Sequence, residues 1–364
     1  MNTYHVIGLM SGTSLDGVDL AYCIFTKKNQ NWIYKIYYTA TLPYTFFWKQ
    51  RLNALMDVSA EKFILADHQY GTYLGHAVRE FVTKNGLTPD FIASHGHTIF
   101  HQPDQHITHQ LGHGAYLAAA AQLPVVCDFR TLDIALGGQG APLVPIGDQL
   151  LFSDYDCCLN LGGIANISVP GATGRIAFDT GACNMLLNAL ASQINLPFDE
   201  DGRLARQGKV QTALLNQLNS SAYFKAPYPK SLGKEWVDAN TLHYLLAADC
   251  SVPDKLQTAT HHIAYHVAAS IKKVLPETGS RRVLATGGGA FNIYLIELIQ
   301  KALGPDFTVV VPDPELVSFK EALIFAFLGV LRWRQEPNCL SSVTGAPHDN
   351  IGGAIYWGSR NPKV

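Results

Sequence analysis

Gly8-Leu9-Met10-Ser11-Gly12-Thr13-Ser14-Leu15-Asp16-Gly17-Val18-Asp19 decides how the rest of the chain is read. Tyr4 to Gly8 before the turn has strand character. So does Val18 to Thr26 after it, where Val18, Leu20, Tyr22 and Ile24 alternate with their neighbours, the period of a half-buried strand. Asp16-Gly17 is favoured hairpin chemistry. Trp32 to Thr41, rich in aromatic and β-branched residues, suits a third strand. The chain therefore opens as an antiparallel meander around a glycine turn. Glycines let a backbone come close to a ligand. Successive N–H groups with the Thr13 and Ser14 hydroxyls make an anion cradle, and Asp16 or Asp19 can hold a phosphate-bound metal through water. An ordinary hairpin turn accounts for the same residues by turn propensity alone. Neither familiar nucleotide loop is present: Gly17 is followed by Val18 where a Walker loop has Lys, and no Gly-x-Gly-x-x-Gly follows a strand.

Outward from this turn, helical spacing covers Ser59 to Asn85 and stops at Gly86. Phe91 to Ser94 is a short buried strand ending at His95-Gly96, Ala115 to Leu123 a helix, and Val125 to Phe129 a strand. Leu136-Gly137-Gly138-Gln139-Gly140-Ala141-Pro142 reads as a glycine-rich linker or loop, and after it the pattern restarts. Cys157 to Gly163, Ile164 to Val169 and Ile176 to Asp179 are strands around Gly162-Gly163, followed by a helix from Asn184 to Ile194. Helices over Asp238–Ala248 and Ala259–Leu275 come next. Then follow a strand Val283–Thr286 into Gly287-Gly288-Gly289, a helix Ile293–Leu303, a strand Thr308–Val311, an apolar helix Ser318–Arg334 and a closing segment Ile351–Trp357. Two successive units of this kind make an α/β duplication, two lobes with a cleft between them. The expected division is 1–135 for the N-terminal lobe, with 350–364 completing it, and 136–349 for the C-terminal lobe.

Composition excludes several classes. The 364 residues are 48% hydrophobic and 15% charged, which argues against disorder. With 27 Lys and Arg against 29 Asp and Glu and no basic stripe, a nucleic-acid partner is not expected. The longest apolar run, Ala322 to Leu331, is too short to span a membrane. No secretory leader is recognised at the start. Seven cysteines without a C-x-x-C pair read as buried, reduced thiols in a cytoplasmic protein.

Several residues can carry chemistry. Ala177-Phe178-Asp179-Thr180-Gly181 sets a carboxylate at a strand end, a natural general base or else a cap for the helix near Asn184. Three consecutive glycines, 287 to 289, suit either a bare backbone under a purine or ribose or a close strand–helix crossing. Glu321 opens an otherwise apolar helix, where it can complement the dipole or, with Lys320, face a substrate. Asp128 and Arg130 form a strand-end pair able to grip a polar ligand. His95, His97, His101, His106, His109 and His113 are read as polar loop residues, and His262 and His266 as a polar or partly buried helix face. No metal ligand set is expected among them.

Taken together the motifs resemble one family. The opening turn is similar to that of anhydro-N-acetylmuramic acid kinases. So are Ser94-His95-Gly96, Val126-Cys127-Asp128-Phe129-Arg130, Gly137-Gly138-Gln139-Gly140-Ala141-Pro142, Leu159-Asn160-Leu161-Gly162-Gly163-Ile164-Ala165-Asn166, Phe178-Asp179-Thr180-Gly181, Pro229-Lys230-Ser231, Thr286-Gly287-Gly288-Gly289 and Lys320-Glu321-Ala322. They occur in order over nearly the full chain. The resemblance implies a two-lobed actin-like ATPase (ribonuclease H-like) fold. It also implies a cytoplasmic enzyme of peptidoglycan recycling that uses ATP and Mg2+. In that reaction water opens the anhydro bridge of 1,6-anhydro-N-acetylmuramic acid at C1 and O6 is phosphorylated. By the same resemblance Asp179 is the base. Glu321, Asp128 and Arg130 lie around the sugar. Gly12, Thr13, Ser14, Leu15, Asp16, Gly17, Val18 and Asp19, with Gly162, Gly163, Gly287 and Gly288, hold the nucleotide. The partners are then the sugar and ATP, with a second copy of the chain as a candidate. Three departures stand out. His97 replaces a common Gln, His113 a common Asp, and Ala182-Cys183 replace Pro-Gly beside the expected base. The rival readings are a chaperone-like ATP-binding module of the same fold, a kinase of a related amino sugar, and a metal hydrolase built on the histidines.

Overall fold

The computed structural model describes residues 2–12, 15–275 and 279–358. Its strands in chain order are β1 (Thr3–Ser11), β2 (Gly17–Lys28), β3 (Asn31–Pro43), β4 (Phe91–Gln102), β5 (Ile107–Leu111), β6 (Val125–Cys127), β7 (Cys157–Leu161), β8 (Ile164–Pro170), β9 (Arg175–Ala182), β10 (Arg281–Thr286), β11 (Phe307–Val310) and β12 (Ala354–Tyr356). One sheet has the order β12-β6-β4-β1-β2-β3, with β5 added to β4, and the other β11-β10-β7-β8-β9. In the first, β1, β2 and β3 pair antiparallel, while β4 joins β1 and β6 joins β4 in parallel. The second repeats this: β7, β8 and β9 are antiparallel, and β10 and β11 are parallel to β7. Both sheets thus share the order third, second, first, fourth, fifth, with the second strand reversed. The duplication expected from two glycine turns is present strand for strand, and this repeated mixed sheet is the ribonuclease H-like unit of the actin-like fold.

The chain divides into two compact units, Met1–Leu151 with Phe319–Val364, and Phe152–Ser318. These limits differ from the expected 135/136 and 349/350, for physical reasons. The segment 136–142 is no free linker. The buried Asp133 carboxylate accepts the Gly140 N–H at 2.8 Å on one oxygen. On the other it accepts from Asn350, Thr344 and Cys339 at 2.7, 2.9 and 3.1 Å. One carboxylate therefore fastens the glycine loop and the stretch 339–350 into the first unit. The helix Val144–Leu151 belongs there too, because Asp148 forms a buried ion pair with Lys320 at 2.7 Å. The apolar part of the helix Pro314–Trp333 lies directly on the first sheet. A Cβ on Gly8 would stand 2.0 Å from the Ala322 carbonyl oxygen, and Phe327 packs on Phe25 and Trp32 at 5.4 and 5.1 Å. Gly8 is glycine so that strand and helix can touch.

Local signals set most element ends. The helix Ala60–Asn85 starts at Ser59, whose hydroxyl accepts the Lys62 N–H, and ends at Gly86 with φ 61°, a left-handed cap. The helix Val252–Val274 starts earlier than its apolar spacing suggests, because Ser251 caps it and Pro253 sits in its first turn. The helix expected over Asp238–Ala248 is instead three pieces, with a wide π turn at Asp238–Leu242 between Lys234–Val237 and His243–Ala247. Among the described residues no helix is long and apolar enough to cross a membrane.

The histidine-rich segment is not a loop. β4 continues through Gly96, whose φ of 77° and lack of room for a Cβ (Leu111 oxygen at 2.5 Å) let β5 pair alongside. His95, His97 and His101 therefore sit on β4 and His109 on β5. His106 is in the turn, and His113 begins the helix Gly114–Ala121, its Nδ1 accepting the Ala115 N–H. Among the described residues no three His, Cys, Asp or Glu side chains gather as a metal site.

Candidate active site

In the second unit Asn160 of β7, Asn166 of β8 and Asp179 of β9 are cross-strand partners, with Thr286 of β10 beside Asn160. Paired residues share a face of the sheet. Four polar side chains thus form one row next to the Gly162-Gly163 turn. Asp179 is half-buried and held on three atoms. Its Oδ2 accepts the Leu232 N–H at 2.8 Å, its own N–H donates to the Lys230 oxygen at 3.1 Å, and its carbonyl accepts the Tyr223 hydroxyl at 2.8 Å. The Lys230 ammonium returns to the Tyr223 carbonyl at 3.0 Å. The stretch from Tyr223 to Leu232 is thus a strap along the edge strand β9. Burial pushes the Asp179 carboxyl up to about 6 against the pull of the Leu232 N–H, so desolvation outweighs the hydrogen bond.

Asp179 does not cap the helix Asn184–Ser192. The N–H groups of Cys183 and Met185 donate to the Gly163 carbonyl and that of Asn184 to the Gly162 carbonyl. The carboxylate is left free of a capping duty. Ala182 and Cys183, the departure beside it, are both core residues, and burial pushes the Cys183 thiol up to about 12. The change is therefore one of packing. In the triple glycine the two sequence readings divide by position. Gly287 has φ 81°, and a Cβ there would meet Asn160 Oδ1 at 2.5 Å; one on Gly289 would meet Leu161 Cβ at 2.8 Å. Those two serve a close crossing. Gly288 is exposed and meets only Asn184 at 3.6 Å, so its backbone is open to a ligand.

In the first unit, Thr13 and Ser14 lie outside the described residues. Of the rest of the turn, Leu15 has φ 58° and Asp16 is exposed. Gly17 is glycine because the Leu42 oxygen would stand 2.4 Å from a Cβ. Val18 buries its side chain in the core, leaving only its main chain for a ligand. Asp19 is half-buried and accepts the Thr41 hydroxyl at 2.6 Å. Burial raises its carboxyl; Thr41 opposes the rise and Asp16 adds to it.

Arg130 donates through Nη1 to the Gly140 oxygen at 2.7 Å and through Nε and Nη2 to His95 Nε2 at 3.2 and 2.9 Å. His95 must then carry its proton on Nδ1, which donates to the Gly96 oxygen at 2.9 Å. Burial, and then Arg130, hold this imidazole far below its usual range. Burial brings Arg130 down to about 10 against the attraction of Glu321. Desolvation raises the Glu321 carboxyl, opposed by Lys320 and Arg130 and assisted by Asp19. Asp128 is exposed at φ 60°, a strained position that Asp tolerates better than most residues. Glu321 does not open its helix. The helix begins at Pro314 behind Asp313, whose carboxylate accepts the Leu316 N–H at 2.9 Å, so Glu321 stands two turns in. Lys320 is committed to Asp148 and does not face a ligand.

The sequence reading missed two features. Asn160 and Asn166 belong to the Leu159–Asn166 motif, but their alignment with Asp179 depends on register. Behind the first turn, Ser11 bonds His97 Nδ1 at 2.8 Å and the Tyr44 hydroxyl at 2.5 Å, and Tyr44 bonds Tyr70. This buried chain fixes the end of β1, and burial holds His97 neutral by lowering it to about 4. His262 and His266 are the polar helix face expected: both donate to Asn219 Oδ1, at 2.6 and 3.0 Å.

The model of the family described as anhydro-N-acetylmuramic acid kinase matches residues 4–358 of this chain. An anhydro-N-acetylmuramic acid kinase of Shewanella amazonensis is 36% identical over 372 residues, covering 96% of this chain and 98% of that relative. One of Rhodopseudomonas palustris is 34% identical with the same coverage. Among solved structures, the activator of the 2-hydroxyisocaproyl-CoA dehydratase from Clostridium difficile with bound ADPNP is similar at a TM-score of 0.45 and 13% identity. That match covers 91% of this chain and 97% of the other.

Proposed function

The chain belongs to the anhydro-N-acetylmuramic acid kinase family and is an ATP-dependent sugar kinase, and from that premise we propose how its residues share the reaction. Asp179 is the general base. Water attacks C1 of the anhydro sugar as Asp179 takes its proton, the C1–O6 bond breaks, and the freed O6 attacks the terminal phosphorus of ATP, releasing ADP. An anhydro sugar has no O6 hydroxyl, so O6 becomes nucleophilic only as the bridge yields. Arg130, Asp128 and Glu321 grip the sugar. Arg130 is pre-aimed by His95 and Gly140, so little ordering remains for binding to supply.

The main chain of Gly12, Leu15, Asp16, Gly17, Val18 and Asp19, with Thr13 and Ser14, takes the phosphates. Gly162 and Gly163 form the matching second turn, and Gly288 carries the nucleoside side, above the close crossing that Gly287 makes room for. Asp16 and Asp19 are hard oxygen donors that fit Mg2+ held through water alongside the phosphates. The ion supplies neutralisation of phosphoryl charge. The same reading puts the reaction in the bacterial cytoplasm, in cell-wall recycling, with a second copy of the chain as a candidate partner.

The observation that carries the base assignment is a half-buried carboxylate with a raised pKa, anchored by the strap and free of capping work. The test is mass spectrometry of the product made in heavy-oxygen water and quenched early. Label at C1 with phosphate on O6 is expected. Release of free phosphate without any sugar phosphate would overturn the proposal.

A further inference from the structure

Between the strap and the helix Val252–Val274 the second unit has a crevice of about 90 Å³, lined by Phe178, Phe224, Tyr228, Lys230, Ser270 and Lys273 among others. Successive residues of a strand point to opposite faces. Phe178 lines this crevice, so it opens on the face of β9 away from the Asp179 side chain. Its chemistry is one-sided. No carboxylate is among its lining residues, while two ammonium groups are. Burial lowers Lys230, and repulsion from Lys273 lowers it further. Lys230 lies 4.5 Å over the Tyr223 ring and donates to the Tyr223 carbonyl at 3.0 Å. The remaining wall is aromatic: Phe178 stacks on Tyr228 at 5.5 Å, and Phe224 on His266 at 3.6 Å. His266 is committed to Asn219, and burial brings it down to about 4, so it adds no charge at neutral pH. Two like charges converging on an uncharged wall are relieved by an anion. The volume admits about three water-sized groups, the size of a phosphoryl group.

We propose that this crevice binds a phosphoryl dianion, either inorganic phosphate or the phosphate of a sugar monoester, between Lys230 and Lys273, and that its occupancy tunes Asp179 through the strap. An anion draws the Lys230 ammonium from the Tyr223 carbonyl. Tyr223 and Lys230 are both hydrogen-bonded to the Asp179 backbone, so the pull reaches the base without contact between the two ligands. The coupling rests on reading Asp179 as the base; the binding does not.

The test uses the full chain and Trp236, the one tryptophan of the second unit, whose ring lies 5.1 Å from that of Tyr223. Inorganic phosphate and a hexose 6-phosphate are titrated separately at fixed ionic strength, followed by tryptophan fluorescence. A saturable change is expected for at least one, and which of them binds tighter identifies the source. Lys273→Gln should weaken it at least tenfold and Lys273→Arg should retain it. Basal turnover without phosphate should be unchanged in both, since Lys273 is exposed and outside the proposed machinery. Unaltered binding in Lys273→Gln, or no saturable change with either probe, overturns the site. In the parent enzyme a bound dianion should move the acid limb of the kinase pH profile upward, because it adds negative charge near Asp179, and Lys273→Gln should abolish the move. A limb unmoved by saturating anion overturns the coupling. The fluorescence arm is independent of activity and distinguishes that failure from failure of the base assignment.

Discussion

Asp179→Asn should raise stability while abolishing turnover, and the two effects come from one physical cause. The folded unit holds the Asp179 carboxyl at about 6 instead of 3.8, chiefly by desolvation. At 1.36 kcal/mol per unit, a shift of about two units penalises the ionised folded form by roughly 3 kcal/mol. Partial exposure of the side chain screens this to about 1.5 kcal/mol. The sign follows from a folded pKa that lies above the unfolded one. The penalty is absent below the unfolded value of 3.8, grows as pH rises through the window to about 6, and is complete above it. Asparagine carries no charge and still offers an oxygen to the Leu232 N–H. At pH 8 the variant should therefore melt higher, by about 3–6 °C for 1.5 kcal/mol in a unit of this size. The gap should shrink on descending to pH 5. Turnover should fall by at least about 100-fold, the usual contribution of a positioned base, with ATP affinity retained. Paired scanning calorimetry at pH 8 and pH 5 with a coupled ADP-release assay reads both quantities. A variant that melts lower than the parent at pH 8, or that keeps near-normal turnover, refutes the assignment.

Three further outcomes are expected. The parent's kcat/KM should lose activity as pH falls through about 6, following protonation of Asp179, and a profile flat down to pH 5 would remove the raised base. Breaking the buried pair at 2.7 Å by Asp148→Asn should cost about 3–5 kcal/mol in urea unfolding. The double change Asp148→Leu with Lys320→Met should recover most of it, because no charge is then left unpaired. Gly287→Ala should lower the melting temperature, since its φ is 81° and Asn160 blocks the new methyl. Gly288→Ala should leave melting unchanged and raise KM for ATP; equal melting in the two variants would contradict the division of roles between these glycines.

What was legible in the sequence is what neighbouring residues decide. Ser59 and Gly86 bound a helix through their own backbone preferences, and the alternation from Val18 to Ile24 is a property of one strand. The two glycine turns announced two units because a hairpin is local. Register is not local, so the row Asn160–Asn166–Asp179 was out of reach. The strap was equally hidden: Leu232 meets Asp179 across 53 residues of chain, and Pro229-Lys230-Ser231 stood out as a motif without a visible reason. The glycine loop at 136–142 looked like a boundary because its composition is flexible. Its actual place is set by a single buried carboxylate, Asp133, whose partners lie up to 217 residues away. The histidines looked like loop polarity because Gly96 reads as a break. In the folded sheet that glycine is what keeps β4 continuous beside β5.

The duplication gives the proposed base on β9 a counterpart row in the first unit. Asp19 is the third residue of β2 and Asn166 the third of β8. Asp19 pairs with Met10 and Thr41, and Asn166 pairs with Asn160 and Asp179. The row Met10–Asp19–Thr41 thus superposes in topology on Asn160–Asn166–Asp179, with the carboxylate moved from the second strand to the third. In the first unit a hydroxyl on the third strand donates to the carboxylate and stabilises its charge. That bond opposes, without reversing, the rise that burial gives the Asp19 carboxyl. In the second unit the neighbour is Asn166, and the main restraint is one backbone N–H from the strap. Desolvation is opposed there by that N–H alone, and the Asp179 carboxyl rises to about 6, toward the pH at which a proposed base can take a proton and return it. One frame is used twice, and the place of the carboxylate along its row, second strand in one unit and third in the other, is what differs between them.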